Sequence, residues 1–466
     1  MGLHENVADD EPLSPGGRLF LQKETAQVVL CAMGMKNPID VEAVMASIEV
    51  SVMLKHPRFR SLLVRDSRGV EHWRRTEVVM ARHFFILNDP IVGSYEDDEG
   101  AVREYLADLS MSPEMSPEKP LWEIHILRAH GCLIWRIHHA LGDGISLMSM
   151  LMAGCRKVDD PEALPTIPRG KREWGKGASL SWRESVMRLL RVIWFTIVSV
   201  VGLVLRIMWM KDRKSLISGG LGVELWPRKL ATAKFGLDDM KLARRSVAGA
   251  TLNDVLLGVI SMGLSRYINE KEPNSTSAGL RVTGMGVVNL RKQPGLHELT
   301  KMTDEATPAR RWGNRFGIFL LPLHCHESGT NAVVHLREAK RVMDRCKNSF
   351  QAHFSYWFMD LVMACFGPRL SSALNNRIVC HTTFTLSNMV GPQEPMTYVG
   401  NPVTYIRPTS CAMANALTMH MVSYANRADL QILVPKDIIP DPHYLARCFE
   451  EALLEMKEAA AATMKD

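Results

Sequence analysis

Trp135-Arg136-Ile137-His138-His139-Ala140-Leu141-Gly142-Asp143-Gly144 is the stretch on which the reading of this chain turns. The residues leading into it, Cys132 to His138, include β-branched and aromatic side chains in a period of two, as a strand does. The residues after it, Ile145 to Met152, form a mostly apolar run without a breaker, suited to a buried helix. Between them Gly142, Asp143 and Gly144 supply the residues of a tight turn. Two adjacent histidines therefore stand at a strand end, on a rim where side chains can face a cavity. Strand alternation predicts that His138 and His139 point to opposite sides, so that one of them faces a given channel. With an unperturbed pKa of about 6.5, a histidine in that place suits general-base work.

Composition bounds the rest. At 466 residues two domains are expected, and 46% hydrophobic with 23% charged residues is globular. A net charge of +6 suits an anionic membrane surface or a phosphate-bearing cosubstrate and is too weak to argue for nucleic acid. Nine cysteines, scattered and without a Cys-x-x-Cys pair, point to reduced thiols facing the cytosol. The 28 methionines suit an adaptable apolar interior, chiefly as core filling. The acidic opening, with Glu5, Asp9, Asp10 and Glu11, does not read as a signal peptide, and Asn6 argues against myristoylation at Gly2.

Along the chain, Glu11-Pro12-Leu13-Ser14-Pro15 is extended, and Gln27 to Met33 reads as a strand. Asp40 caps a helix expected to run to His56-Pro57. A strand beginning at Pro120-Leu121-Trp122 should form a hairpin with Cys132 to His138, with Trp122 packed beside it. From Arg156 to Gly177 the texture turns polar and Pro-containing, marking a crossover between halves. Thr251 and Asp254 form a capping box that opens a helix. Asn289 and Arg291 close a strand, and Gly313-Asn314-Arg315-Phe316-Gly317 leads into another. His324 and His326 lack a third ligand, so no metal is expected. Thr382 to Leu386 reads as a strand ending at Ser387-Asn388, and Asp441 to Lys465 as a closing helix.

One segment stands apart. Val192 to Leu205 carries no charge, and about 188–210 just reaches the length of roughly 20 residues that a membrane helix needs if its arginines snorkel. Arg183, Arg188 and Arg191 before it and Lys211, Arg213 and Lys214 after it are basic on both sides, which gives little orientation. If the halves share one site, a single crossing would put them on opposite faces of the membrane. An interfacial or re-entrant anchor is therefore expected, with a single pass and a buried core helix as the alternatives. Phe354 to Phe366 is a second apolar surface of the same kind.

The pattern His138-His139-x-x-x-Asp143-Gly144 is that of the CoA-dependent acyltransferase superfamily. Together with Glu11-Pro12-Leu13-Ser14-Pro15, His56-Pro57-Arg58-Phe59-Arg60-Ser61, Pro120-Leu121-Trp122, Asn253-Asp254 and Ser387-Asn388-Met389-Val390-Gly391-Pro392, the chain resembles the plant bifunctional wax ester synthase/diacylglycerol acyltransferases. That resemblance implies an α/β fold of two chloramphenicol-acetyltransferase-like halves, each a mixed sheet with flanking helices, and a channel between them. The expected division is 1–155 for the half with the motif, 156–230 for the crossover and 231–466 for the second half. His139 would be the proton acceptor, with His138 and Gly144 beside it and Asp143 paired structurally with an arginine, for which Arg291 fits by pattern. Asn253, Asn289, Ser387 and Asn388 are substrate or oxyanion candidates. The implied reaction moves a fatty acyl group from acyl-CoA, a cosubstrate and the sole cofactor-like partner, to a long-chain alcohol or diacylglycerol. The implied place is the cytosolic face of the endoplasmic reticulum membrane, with the plasma membrane as a second location. Other readings stay open: a soluble-type acyltransferase on another hydroxyl acceptor (no Asp-Phe-Gly-Trp-Gly signature is present), a condensation domain, or a non-catalytic lipid-binding membrane protein of the same fold.

Overall fold

In the computed structural model, which describes residues 10–93, 97–112, 114–167, 181–273, 279–291 and 312–463, the strand leading to the two histidines spans Cys132–His138. The strands of the first third are β1 (Glu11–Pro12), β2 (Val28–Met35), β3 (Ser61–Arg65), β4 (Glu71–Arg75), β5 (Phe84–Leu87), β6 (Trp122–Leu127), β7 (Cys132–His138) and β8 (Cys155–Lys157). After the crossover come β9 (Arg228–Gly236), β10 (Arg281–Asn289), β11 (Phe316–His324), β12 (Phe384–Val390), β13 (Met396–Tyr398), β14 (Asn401–Ser410), β15 (Leu417–Tyr424) and β16 (Arg427–Pro435). They make two large mixed sheets, ordered β5-β6-β7-β2-β14-β13-β8 and β11-β10-β12-β15-β16-β9, and a small sheet β1-β4-β3. Strand β5 runs parallel to β6, and β12 runs parallel to both β10 and β15, whereas the other large-sheet neighbours are antiparallel. Helices flank both sheets, which is the α/β architecture of two halves.

The local rules explain most elements. The hairpin β6–β7 closes through Arg128–His130 and Gly131, whose φ of 53° a glycine adopts without Cβ strain. The helix Gly144–Ala153 is almost wholly buried because its run offers no polar face beyond two serines. The capping box forms as expected, with Thr251 N donating to Asp254 Oδ2 at 2.7 Å and opening the helix Leu252–Lys271.

Other boundaries differ. The helix capped by Asp40 stops at Glu49, because Ser51 accepts from Leu54 N and caps a separate turn, Val52–Lys55. Strand β12 continues to Val390, so Ser387 and Asn388 lie within it rather than at its end. The apolar run Phe354 to Phe366 belongs to the helical stretch Gln351–Cys380, which breaks at Gly367 (φ 78°, ψ −177°) just before Pro368. The crossover helix is longer than its uncharged core, Trp182–Met208, with Ser181 and Glu184 forming a capping box. Residues 1–9, the crossover residues 168–180 and Lys465 lie outside the described residues.

The two halves interlock rather than merely touch. Strands β13 and β14 come from the C-terminal part of the chain yet complete the sheet of the N-terminal half, β14 pairing with β2 from Val403↔Met35 to Ser410↔Val29. Arg407 on β14 then crosses to the other sheet, its Nε donating to Asp429 Oδ2 at 2.7 Å while Nη1 lies 2.9 Å from Glu99. Arg407 and Asp429 are both buried, so removing the guanidinium leaves the carboxylate between the sheets with only the half-exposed Arg427, 3.2 Å away, as its cationic partner. Arg407→Met should therefore lower the unfolding free energy by about 3–5 kcal/mol, read from the denaturant midpoint at unchanged slope. A midpoint equal to that of the unsubstituted protein would show that the sheets are joined without this ion pair.

Candidate active site

Strand β7 delivers His138 as its last residue, and the chain turns at His139. His139 N donates to Gln27 O at 2.9 Å, which anchors the turn to the residue before β2. The His139 ring stacks on Phe20, with centroids 4.1 Å apart. Its Nδ1 lies 2.9 Å from Asn314 Oδ1, and Asn314 Nδ2 donates to His139 O at 2.8 Å. The second bond fixes the amide, since only Nδ2 can donate to a carbonyl. Asn314 Oδ1 must then accept from the ring, which assigns the proton to Nδ1 and leaves a lone pair on Nε2. Burial lowers the His139 pKa, while the Asp143 charge and the Asn314 bond hold it up.

His139 borders a cavity of about 950 Å³ between the halves, with walls from the two large sheets and from Phe20 and Phe316. His138 borders the same cavity, contrary to the expected alternation. The strand has ended, and His138 Nδ1 accepts from Ala140 N at 3.1 Å, bending the chain so that the next ring comes round to the same space. Burial, with the neighbouring His139 and Arg136 adding to it, lowers the His138 pKa to about 3. A ring whose Nδ1 lone pair is already used, and which protonates so reluctantly, is a poor base.

Asp143 borders the same cavity, but both of its carboxylate oxygens are committed to protein partners. It caps the helix Gly144–Ala153, Oδ1 accepting from Ser146 N at 3.0 Å, while Oδ2 accepts from Arg315 N at 3.0 Å and from Arg291 Nη1 at 2.5 Å. Arg291 also donates to Gly313 O, and its Nη1 lies 3.3 Å from Asn289 Oδ1. The segment Gly313–Arg315 is thus held at both ends of its turn, which is what presents Asn314 to His139. Gly144 allows the helix start to approach Met389, whose Sδ would lie 2.8 Å from an added Cβ.

The remaining candidates separate. Trp122 is fully buried, its Nε1 donating to Phe59 O at 3.0 Å and its ring stacked on His83 at 3.8 Å, so it packs and does not border the cavity. Asn388 Nδ2 donates to Asn253 Oδ1 at 2.6 Å, which ties the two side chains together through one half of each amide. Asn289 is engaged with Arg291, accepting from its N at 3.0 Å. Ser387, Asn388 and Asn289 all border the cavity. His326 pairs with Glu338 at 2.9 Å, and among the described residues no cluster of metal-ligating side chains occurs. Sequence reading missed Asn314 and Phe20 as functional neighbours of His139. The block Gly313 to Gly317 was visible only as a lead into β11, because nothing local says that its asparagine reaches a histidine 175 positions away.

Similarity to known proteins now bears on this site. Residues 18–256 match the model of the wax ester synthase/diacylglycerol acyltransferase catalytic domain, and residues 312–457 match that of the WS/DGAT C-terminal domain. Wax ester synthase/diacylglycerol acyltransferase 11 of Arabidopsis thaliana is 34% identical, over 97% of this chain and 96% of the relative. Wax ester synthase/diacylglycerol acyltransferase 2 of the same plant is 32% identical, over 99% and 98%. In fold, the chain is similar to a wax ester synthase/diacylglycerol acyltransferase from Marinobacter aquaeolei VT8 (TM-score 0.61, 16% identity, 97% of this chain and 100% of the other). It is also similar to the first condensation domain of the calcium-dependent antibiotic synthetase (TM-score 0.58, 14% identity, 98% and 97%).

Two expectations follow from the geometry. Asp143→Asn and Arg291→Gln should each cost about 3–5 kcal/mol of stability by removing one partner of a buried ion pair, and the double variant should lose less than the sum. Additive losses in that cycle would show that the two charges act independently. For pH, a base whose pKa is lowered by burial stays neutral below its ordinary value, so the acid limb of kcat/KM should fall below pH 6.5. Replacing the Asp143 charge removes an influence that raises that pKa, so residual activity of Asp143→Asn should show its acid limb moved to lower pH still. A limb at or above pH 6.5 in the unsubstituted protein would contradict a buried histidine base.

Proposed function

The chain belongs to the wax ester synthase/diacylglycerol acyltransferase family, and from that premise we propose how its own residues carry the transfer. It is an O-acyltransferase, moving a fatty acyl group from acyl-CoA to a long-chain alcohol or to diacylglycerol. The observation that carries the residue assignment is the reciprocal His139–Asn314 pairing, which leaves Nε2 of His139 as an unprotonated nitrogen on the cavity. In this reading Nε2 takes the hydroxyl proton as the acceptor oxygen attacks the thioester carbon. The tetrahedral intermediate then collapses, the carbon–sulfur bond breaks, and the proton passes to the departing thiolate, giving ester and free CoA thiol. No covalent acyl-enzyme and no resident cofactor enters the scheme; acyl-CoA is a cosubstrate. Holding two apolar substrates together in one enclosed space supplies much of the rate.

Membrane attachment is the second part of the proposal. Among the described residues one helix, Trp182–Met208, is long and apolar enough to cross a membrane. Its outward stripe, Val186, Leu190, Ile193, Ile197, Val201 and Val204, recurs every three or four residues, and Trp194 and Ile197 are 63% and 53% exposed. The opposite side packs on the stretch Gln351–Cys380; Phe350 N, just before that stretch, donates to Thr196 Oγ1 at 3.0 Å, and Arg377 Nη2 within it to Met208 O at 2.9 Å. Its last turns enter the protein, Leu203 and Ile207 joining a buried cluster with Met285 and Ile318. Arg206 is buried, with Nη2 2.8 Å from Asp212. A helix committed to protein along one side and at one end favours lying in the lipid interface over crossing it. The nine cysteines, all free thiols, favour the cytosolic face, as on the endoplasmic reticulum.

Purified protein given labelled palmitoyl-CoA should acylate hexadecanol or diacylglycerol, and His139→Ala should reduce that transfer about 10²–10⁴-fold while the fold persists. Near-normal ester formation by that variant would remove His139 from the base role. Ile193→Glu/Ile197→Glu/Val201→Glu should release the protein from phospholipid vesicles while its circular dichroism stays unchanged. Unaltered vesicle binding would place the lipid contact elsewhere.

A further inference from the structure

The cavity holds a third histidine that the scheme above does not use. His420 stands on β15 in the C-terminal sheet, opposite the motif, and its ring borders the same cavity as His138 and His139. Strand register sets it beside Ser387 on β12, and Ser387 beside Val287 on β10; all three border the cavity, so they share one face of that sheet. The Nδ1 edge of His420 is fully buried and meets no hydrogen-bond partner among the described residues. Nε2 is therefore the edge turned to the cavity. Burial pushes the pKa down to about 4, with nearby His139 adding to the effect, so the ring is neutral near pH 7.

A neutral imidazole carries one N–H and one lone pair. At a buried edge without a partner, an orphaned N–H is the rarer and costlier choice than an unsatisfied acceptor. The lone pair accordingly sits on Nδ1 and the proton on Nε2. His139 is the reverse case, its Nδ1–H given to Asn314 and its Nε2 bare. The two sheets thus present opposite polarities across one space, an acceptor from the motif side and a donor from the other.

We propose that His420 is a catalytic residue that donates its Nε2–H to the thioester oxygen as negative charge builds there during acyl transfer. This rests on the acyl-transfer reading above. In the step it serves, the acceptor's proton goes to His139 Nε2 and the acceptor oxygen bonds to the thioester carbon. The carbonyl electron pair moves onto oxygen, opposite His420. When the pair returns, the carbon–sulfur bond breaks and the proton on His139 leaves with the thiolate. A neutral donor suits this arrangement better than a cation, because His139 itself becomes positive in the transition state and a second positive ring would repel it. Ser387, beside His420 on the same face, is placed to give a second hydrogen bond.

The test compares full-length His420→Leu and His420→Gln with unsubstituted protein whose transfer of palmitoyl from palmitoyl-CoA to hexadecanol has first been established, so that the outcome concerns His420 alone. His420→Leu should lower kcat about 10²–10³-fold with both KM values little changed, the loss typical of one oxyanion donor. His420→Gln, which keeps an N–H on a side chain of similar reach, should recover about tenfold or more of that loss. The acid limb of the rate profile, set by His139, should not move. If His420→Leu does not fold, His420→Val, a strand-compatible residue without a donor, takes its place with the same expected loss. Activity of the leucine or valine variant near that of unsubstituted protein would overturn the proposal. So would a glutamine variant no better than leucine, or a loss confined to KM.

Discussion

Asp143 is a carboxylate buried where two sheets meet, and a lone charge there would cost several kcal/mol in an interior that solvates it poorly. Its oxygens are instead satisfied by the Ser146 amide, the Arg315 amide and the Arg291 guanidinium. Each partner fixes something different. Ser146 starts the helix behind the motif, Arg291 brings the end of β10 from the other half, and Arg315 sets the position of the residue before it. That residue is Asn314, which selects the tautomer of His139. A single ion pair across the join therefore decides where the motif loop lies and which ring nitrogen is free to act.

Sequence periodicity reached this arrangement only part of the way. The hairpin, the buried helix after the turn, the capping box at Thr251 and the arginine after β10 are local or near-local features, governed by alternation, capping and turn chemistry, and they could be read. Alternation failed at His139, because it holds only while the strand lasts, and the His138 ring ends the strand by accepting from Ala140 N. Ser387 and Asn388 read as the end of a strand because polar residues resemble a boundary; the breakers that end β12 are Gly391 and Pro392, further on. Asn314, His420 and the exchange of β14 into the first sheet depend on partners far away in sequence. No window of ordinary length contains them.

The crossover helix shows the same limit in another form. A spanning helix and an interfacial one can share length and hydropathy, and composition does not separate them. Geometry does, because Arg206 near the helix end is drawn into the protein by Asp212, Thr283 and the His381 carbonyl. An arginine at that position would otherwise lie within the lipid or snorkel from it. Its burial turns the last helical turns into part of the C-terminal core and leaves the outward stripe as the surface available to lipid.

Three histidines share one cavity, and they cannot all act as bases. Burial lowers the pKa of each, to about 3 for His138 and about 4 for His420. For His139 alone does a carboxylate, Asp143, oppose that effect. Asp143 does not touch the ring; it is held by Arg291 and the two amides, yet its field still favours a proton on the histidine next in the loop. The neighbours of His138 and His420 push the other way, Arg136 and His139 on the first and His139 on the second. The three rings are therefore neutral at rest, and among them His139 alone has a neighbouring carboxylate that favours its protonation. The contact that locks the two halves together is also the one that singles out the base.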